Sequence, residues 1–212
     1  MKDLDSKTDF RLNRIQHPLY CLGPGKRIGI WTQGCSLKCP ECLNPDLWNP
    51  HNGKSVSIKK LVQQIKNIEN YYDGITITGG EPFDQYRPLF EFCRNIKKFT
   101  SLNIFIYSGY TISEIENSFP EKEIFSVIDY LIDGRFESKN YADDNMRGSK
   151  NQILYRFKNS IPVKSDEIFQ GDKWSLNVSD DATVFLAGIP RQGEVSEIEL
   201  DLQKRGIKLE FR

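Results

Sequence analysis

The chain has 212 residues, with 29 lysines and arginines balanced by 29 aspartates and glutamates, and 38% of the residues are hydrophobic. This composition suits one globular domain and excludes a disordered chain, while the zero net charge gives no sign of a nucleic-acid or anionic-membrane partner. Neither a membrane-length apolar run nor the apolar stretch of a secretory signal is found, so we expect a single cytoplasmic domain over 1–212.

Hydrophobic spacing predicts strands and helices in alternation after a leading segment, 1–27. Strands are predicted at 27–32, 75–77, 103–107 and 127–132, and helices at 57–71, 86–99 and 111–118. Thr111 and Glu114 have the spacing of a capping box. After polar loops at 135–152, the pattern predicts strands at 153–157, 183–187 and 207–211 and a helix at 195–204.

This alternation indicates an α/β fold with a parallel sheet and right-handed crossovers. In such sheets ligands bind beyond the carboxyl ends of the strands. The loops after the first four predicted strands carry the most distinctive segments of the chain, which are 35–42, 79–81, 108–110 and 133–135. We therefore expect these four segments to meet at one edge of the sheet.

Three of the five cysteines lie within eight residues. Cys35, Cys39 and Cys42 have C-x3-C-x2-C spacing, whereas Cys21 and Cys93 stand apart. An odd number of cysteines suits a disulfide framework poorly. Thiolates are the ligands that iron–sulfur clusters and zinc prefer, so the spacing predicts a metal or cluster site.

Three thiolates would leave one iron of a [4Fe–4S] cluster open. That iron could bind S-adenosylmethionine through its amine and carboxylate, and an electron passed to the sulfonium would release a 5′-deoxyadenosyl radical. Two alternatives remain open at this point. Structural zinc would need a fourth ligand from Cys21, Cys93, His17 or His51, and an electron-transfer cluster would need Cys21 or Cys93.

Several ordered motifs resemble one known family. They are Gly23-Pro24-Gly25-x-Arg27, the segment 32–48, Gly79-Gly80-Glu81-Pro82, and the segments 107–111, 132–136 and 147–152, with a weaker echo at 187–190. Together they resemble the radical S-adenosylmethionine superfamily, and more narrowly the activating enzymes of anaerobic ribonucleotide reductase and other glycyl-radical enzymes. The resemblance covers about 20–157.

The resemblance implies a partial, open β/α barrel of about five to six parallel strands, followed by an α+β extension over about 158–212. It implies a [4Fe–4S] cluster on Cys35, Cys39 and Cys42 as metal ligands and catalytic centre, with S-adenosylmethionine as the second cofactor. Side chains and backbone near that cofactor are expected at Gly79, Gly80, Glu81, Ser108, Asp133 and Arg135. Asn44 is expected to orient the cluster loop, and 147–152 to contact the cofactor or a partner or to stabilise a loop.

The implied activity is hydrogen abstraction that leaves a glycyl radical on a partner enzyme, with an external electron donor such as flavodoxin. Glu41 and Leu43 depart from the family pattern, and the chain is longer than the plainest activators. These departures motivate a second hypothesis, radical modification of a peptide or small molecule. A third hypothesis, from another class, is a non-catalytic iron–sulfur or zinc protein.

Overall fold

The computed structural model describes residues 9–40, 42–119, 123–142, 144, 146–167, 169, 171–178, 184–191 and 193–206. Its helices are α1 (Ile58–Ile68), α2 (Tyr86–Phe99), α3 (Ile112–Ser118) and α4 (Glu194–Lys204). Its strands are β1 (Asp9–Leu19), β2 (Arg27–Thr32), β3 (Lys54–Ser57), β4 (Gly74–Gly79), β5 (Asn103–Tyr107), β6 (Tyr130–Asp133), β7 (Ile153–Lys158), β8 (Ile161–Lys164), β9 (Trp174–Val178) and β10 (Val184–Gly188).

Eight of these strands form one mixed sheet in the order β3-β1-β2-β4-β5-β6-β7-β8. The neighbours β2, β4, β5 and β6 are parallel, as the alternation of strands and helices predicts. The sheet is open, because β3 and β8 stand at its two ends. The α/β fold is therefore confirmed.

The expected number of five to six parallel strands is wrong for the described chain, in which four are parallel. Strand β7, predicted as the fifth, is antiparallel to β6, and β8 is antiparallel to β7. A parallel pairing needs a crossover of a dozen or more residues, usually a helix. The described residues between β6 and β7 hold only a short 3-10 helix, Ser138–Asn140, so the chain returns beside β6 in the opposite direction.

The predicted elements match the structure best where the hydrophobic period is strong. Helix α2 and strands β2 and β5 have the predicted bounds, and Thr111 with Glu114 forms the predicted capping box of α3. The leading segment instead contains β1, which is antiparallel to β2 and has two register shifts. The strand predicted at 207–211 lies outside the described residues. No helix in the described ranges is long and apolar enough to cross a membrane.

Different elements pack on the two faces of the sheet. Helices α1, α2 and α3 pack on the outer face, where the alternate residues Ile28, Ile30, Ile75 and Ile77 join the main hydrophobic core. The opposite, inner face is covered near β1 and β2 by the C-terminal hairpin β9–β10, whose Ala187 packs with Leu19, Cys21, Leu22, Trp31 and Leu47. Near β5, β6 and β7 it is covered by Met146 and Phe169. The parallel strands therefore lie between helices and the C-terminal extension.

A fully buried arginine organises the inner face at the start of β2. Arg27 donates from Nε to Thr76 Oγ1 (2.6 Å) and from its two terminal nitrogens to the carbonyls of Pro24 and Ile75 (2.7 Å each). A Cβ on Gly74 would lie 2.6 Å from Arg27 Nη1. Glycine is needed there because the guanidinium passes directly over the β4 backbone.

Thr76→Val tests how much this arginine network stabilises the fold. The variant keeps the side-chain volume but removes the acceptor of Arg27 Nε and the donor to the Leu22 carbonyl. We expect the free energy of unfolding to fall by about 1–3 kcal/mol in urea titrations. Thr78→Val, two residues along on the same face of β4, is the matched control and should change it by about 0.5 kcal/mol or less. Equal losses in the two variants would contradict this role of the network.

Candidate metal centre

The loop that carries the three clustered cysteines is closed at its base by hydrogen bonds. Gly34 N–H donates to the Leu47 carbonyl (2.8 Å), and Cys35 N–H donates to the Trp48 carbonyl (3.1 Å). The side-chain amide of Gln33 donates to the carbonyls of Asp46 (3.1 Å) and Asn49 (2.9 Å). The loop therefore leaves and rejoins the sheet at one fixed place, beyond the carboxyl end of β2.

Gly79 and Gly80 bring the end of β4 against this base. Gly80 N–H donates to the Thr32 carbonyl (2.9 Å), and Glu81 N–H donates to the Gly34 carbonyl (2.8 Å). Gly79 has φ +109°, and a Cβ on Gly80 would overlap the Gly34 carbonyl oxygen. The glycines are required by this close approach of two backbone segments.

A second anchor holds the segment between Cys35 and Cys39. Asp84 accepts hydrogen bonds from Ser36 N–H (2.6 Å), from Ser36 Oγ (2.9 Å) and from Tyr110 Oη (3.0 Å). Sequence pattern did not predict this role of Asp84 and Tyr110. The available signal was their position, since both follow parallel strands at the edge where the loop lies.

The three thiols are free and partly buried. Burial raises the pKa of Cys35 and of Cys39, and Cys42 Sγ accepts the Asn44 N–H (3.4 Å). In the described part of the chain, no three His, Cys, Asp or Glu side chains converge closely enough to hold a metal ion. The donor set nevertheless fits a cluster with three thiolate ligands, because one anchored loop supplies three unpaired thiols.

Three of the four candidate fourth ligands contact other parts of the chain, whereas His51 is exposed near the loop base, where its backbone N–H donates to Asn49. Cys93 is buried on α2 in the outer core, and Cys21 is buried on the inner face with its Sγ 3.6 Å from Ser175 Oγ. His17 Nδ1 lies 2.7 Å from Tyr72 Oη. This placement favours a three-cysteine site over one completed by Cys21 or Cys93.

Glu81 lies under the edge rather than on it. Its buried carboxylate accepts from Phe83 N–H (3.0 Å), Ser108 Oγ (2.9 Å) and Gly109 N–H (2.8 Å), which joins the ends of β4 and β5. Burial raises the pKa of Glu81 to about 7, against the opposing effect of these three donors. A nearby cation would therefore ionise this carboxyl readily.

The remaining predicted side chains meet at the same edge. Asp133 accepts from the backbone N–H of Ile112 (2.7 Å) and Ile153 (3.3 Å), and burial raises its pKa. Arg135 forms a two-pronged ion pair with Glu114 (3.1 Å). Asn44 precedes a short 3-10 helix, Pro45–Leu47, but its side chain does not cap it.

The polar cluster at 147–152 ties its own loop together. Gln152 Oε1 accepts from Gly148 N–H (2.8 Å) and Ser149 N–H (3.1 Å), and Asn151 donates to the Arg135 carbonyl (2.8 Å). Of the roles expected for this cluster, loop stabilisation is the one that these bonds perform.

A cavity of about 720 Å³ borders the cysteine loop on its β1 side. Its walls include Arg11, Cys35, Lys38, Trp48 and Asp84. It lies apart from Glu81, Ser108 and Asp133, which line no part of it. The loop thus has open space beside Cys35 and Lys38.

Comparison with known proteins matches residues 21–155 to a family described as a 4Fe-4S single cluster domain. The chain belongs to this family. The matched span includes all three clustered cysteines and the four strands β2, β4, β5 and β6. It ends within β7, so β9, β10 and α4 lie beyond the family domain.

Several curated relatives carry the name "anaerobic ribonucleoside-triphosphate reductase-activating protein". One from Pasteurella multocida is 32% identical over 143 residues, covering 64% of this chain and 90% of the relative. One from Enterobacteria phage T4 is 30% identical over 140 residues, covering 63% and 85%. The pyruvate formate-lyase-activating enzyme of Clostridium pasteurianum is 36% identical over 75 residues, covering 34% of this chain and 32% of that enzyme. The resemblance to glycyl-radical activating enzymes is confirmed.

Gly80→Ala tests the close approach of β4 to the cysteine loop. The added methyl group would meet the Gly34 carbonyl, so the bond from Glu81 N–H should break. We expect amide hydrogen exchange in peptides covering 33–36 and 80–83 to rise about tenfold or more. Gly193→Ala is the control, because a Cβ there meets nothing within 4 Å and its φ of +93° confines the strain to the start of α4, so these peptides should be unchanged. Unchanged exchange in Gly80→Ala would contradict the tight contact.

Glu81→Gln tests the buried carboxyl through the pH dependence of stability. Because the folded pKa of about 7 lies above the ordinary 4.5, the stabilising contribution of Glu81 is complete below about pH 4.5 and is lost as the pH rises through 7. The stability of the wild type relative to Glu81→Gln should therefore fall by up to about 3 kcal/mol between pH 4.5 and 8.5. Urea titrations measure it, with exposed Glu197→Gln as control. Parallel curves for the wild type and Glu81→Gln would rule out the shifted pKa.

Proposed function

We propose that this chain is a radical S-adenosylmethionine enzyme that places a glycyl radical on a partner such as anaerobic ribonucleotide reductase. The observation that carries the proposal is a three-cysteine loop fixed at the carboxyl edge of a parallel sheet, in a chain related to activating proteins. When bound, a reduced [4Fe–4S] cluster and S-adenosylmethionine supply the 5′-deoxyadenosyl radical, with methionine as the other product.

Cys35, Cys39 and Cys42 hold the cluster in this proposal. Support comes from their free thiols, from the burial of Cys93 in the outer core, and from the contact of Cys21 Sγ with Ser175 Oγ of the hairpin. The thiols move together when the cluster binds, while the bonded base and the Asp84 anchor keep the loop at the sheet edge. Asn44 supports the loop through its N–H to Cys42 Sγ.

Gly79, Gly80 and Glu81 bind the amino group of S-adenosylmethionine. Gly79 and Gly80 are half-buried at the edge beside the loop, and the carboxyl of Glu81 ionises when an ammonium group approaches. Ser108, already bonded to Glu81, offers its hydroxyl to the ribose or carboxylate. Asp133 and Arg135, at the end of β6, contact the ribose, the carboxylate or the substrate.

The partner and the electron donor approach the same edge. Ser36, Lys38 and Leu43 of the cysteine loop are exposed there, which suits contact with a protein surface. A small external reductant such as flavodoxin supplies the electron, and the cytoplasm, where thiols stay reduced, is the compartment that suits this chemistry.

A second candidate function is radical modification of a peptide or small molecule. It is favoured by the C-terminal hairpin, which lies beyond the family domain and covers the inner face of the sheet. Deuterium carried from a labelled candidate substrate into 5′-deoxyadenosine identifies which substrate class is used.

Cys39→Ala tests the proposed chemistry after anaerobic reconstitution with iron, sulfide, reductant and S-adenosylmethionine. The wild type should bind about four irons and form 5′-deoxyadenosine, and the variant should lose the product because the cluster lacks a ligand. Cys93→Ala is the control, since Cys93 lies in the outer core, and it should keep both properties. Zinc in place of iron, or unimpaired product formation by Cys39→Ala, would overturn the proposal.

A further inference from the structure

The C-terminal hairpin closes the inner face of the sheet by contacts with β1 and β2. Ala187 of β10 packs against Trp31 and Leu19, and Ser175 of β9 lies beside Cys21. Ala187 and Ser175 are cross-strand neighbours, as are Phe185 and Asn177. Because directly opposite residues share a face of a strand pair, these four side chains form the hairpin's sheet-facing side.

Arg14 of β1 is held between two aromatic rings across this interface. Its guanidinium carbon lies 4.7 Å from the centre of the Trp31 ring on β2 and 5.5 Å from that of Phe185 on the hairpin. Such contacts are attractive because the cation faces the negative side of each ring. Arg14 is therefore a latch between the sheet and the hairpin.

Buried polar atoms that have no hydrogen-bond partner among the described residues lie on the inner-facing side of β1 and on the sheet-facing side of the hairpin. Gln16 has only 7% of its surface exposed, and no residue in the described ranges pairs with either polar atom of its amide group. Arg14 Nε and Asn177 Nδ2 are also buried and unpaired. Gln16 and Arg14 pair with Gly29 and Trp31 of β2, so both point to the inner face.

These unpaired groups oppose closure of the hairpin. Each polar group that is buried without a partner disfavours the closed arrangement by roughly tenfold. Apolar packing and the contacts of Arg14 with two aromatic rings favour the closed hairpin, whereas the unpaired polar groups disfavour it. These two effects offset one another. A hairpin held in this balance opens at lower free energy than the sheet itself.

Opening of the hairpin would affect the cysteine loop through the side chain of Leu47. Leu47 is fully buried in the same hydrophobic cluster as Ala187 and Trp31. Its carbonyl accepts the Gly34 N–H that closes the base of the loop. Movement of the hairpin therefore alters the packing beneath the loop's closing bond.

We propose that the hairpin β9–β10 is a displaceable plug that covers the inner face beneath the cysteine loop and opens to admit substrate. The inference rests on the proposed function, since it assigns a gate to that site. In the closed state the plug keeps water from the inner face. In the open state the amide of Gln16 and the Arg14 guanidinium become available to the substrate.

Hydrogen exchange of the full-length reconstituted protein tests the plug directly. Wild-type amides at 174–178 and 184–188 should exchange much faster than those of β4 and β5, which exchange through global unfolding. Gln16→Met, which removes the unpaired amide at similar volume, should slow hairpin exchange about tenfold. Phe185→Ala should raise it about tenfold or more.

Val178→Ala is the matched control, because Val178 is 70% exposed on the opposite face of the same hairpin. The hairpin amides of Val178→Ala should exchange at the wild-type rate. Faster or unchanged hairpin exchange in Gln16→Met would overturn the plug, since the amide would then be satisfied in the closed state. Hairpin exchange at the rate of β5 in the wild type would overturn it as well.

Product formation separates this inference from the proposed function. In the same samples, 5′-deoxyadenosine is measured after adding dithionite and S-adenosylmethionine. A wild type that forms none refutes the radical function, whatever the exchange results show. A wild type that forms it, together with unchanged hairpin exchange in Gln16→Met, refutes the plug alone.

Discussion

The close contact between the end of β4 and the base of the cysteine loop is the constraint on which the site depends. Gly80 can lie against the Gly34 carbonyl because it has no Cβ, and the resulting bonds join two successive parallel strands and the loop into one unit. Glu81 then reaches beneath the edge to Ser108 and Gly109 of the next strand. This close contact between two backbone segments thus fixes the relative positions of the loops that follow β2, β4 and β5.

The two buried ionisable groups Arg27 and Glu81 lie in different surroundings. Each of the three guanidinium nitrogens of Arg27 donates to a carbonyl or hydroxyl oxygen, and burial lowers the pKa of Arg27 to about 10. Glu81 is surrounded by hydrogen-bond donors, and burial nevertheless raises its pKa to about 7. The first group is a structural cross-link, whereas the second is a carboxyl whose charge can respond to a ligand.

The sequence predicted the parallel centre of the fold and the edge where the site lies. Alternating strands and amphipathic helices with strong periods determine β2, β4, β5 and α2. The four loops at the carboxyl ends of β2, β4, β5 and β6 then follow from topology. Strand β1 was missed because its charged residues and bulges hide a period of two. Strand β7 was placed in the wrong direction because strand pattern alone does not specify the partner or the direction of pairing.

The partners of the site residues were beyond sequence reasoning for a related reason. Asp133 and Arg135 were expected near a cofactor, yet their bonds to α3 and Glu114 depend on how helices pack, as does the anchor of Asp84 on Ser36 and Tyr110. The unpaired Gln16 amide is likewise visible only once the hairpin is folded back. Local pattern places residues at an edge, and tertiary packing decides what each one touches.

The anchoring of the cysteine loop by backbone bonds has a consequence for assembly of the enzyme. In many small metal-binding domains the unloaded polypeptide is unfolded, and ligand binding must supply the free energy of ordering. Here the bonds of Gly34, Cys35 and Glu81 hold the loop without any contribution from the thiols. Part of the free energy that orders the loop therefore comes from the polypeptide itself, and cluster binding need not supply all of it.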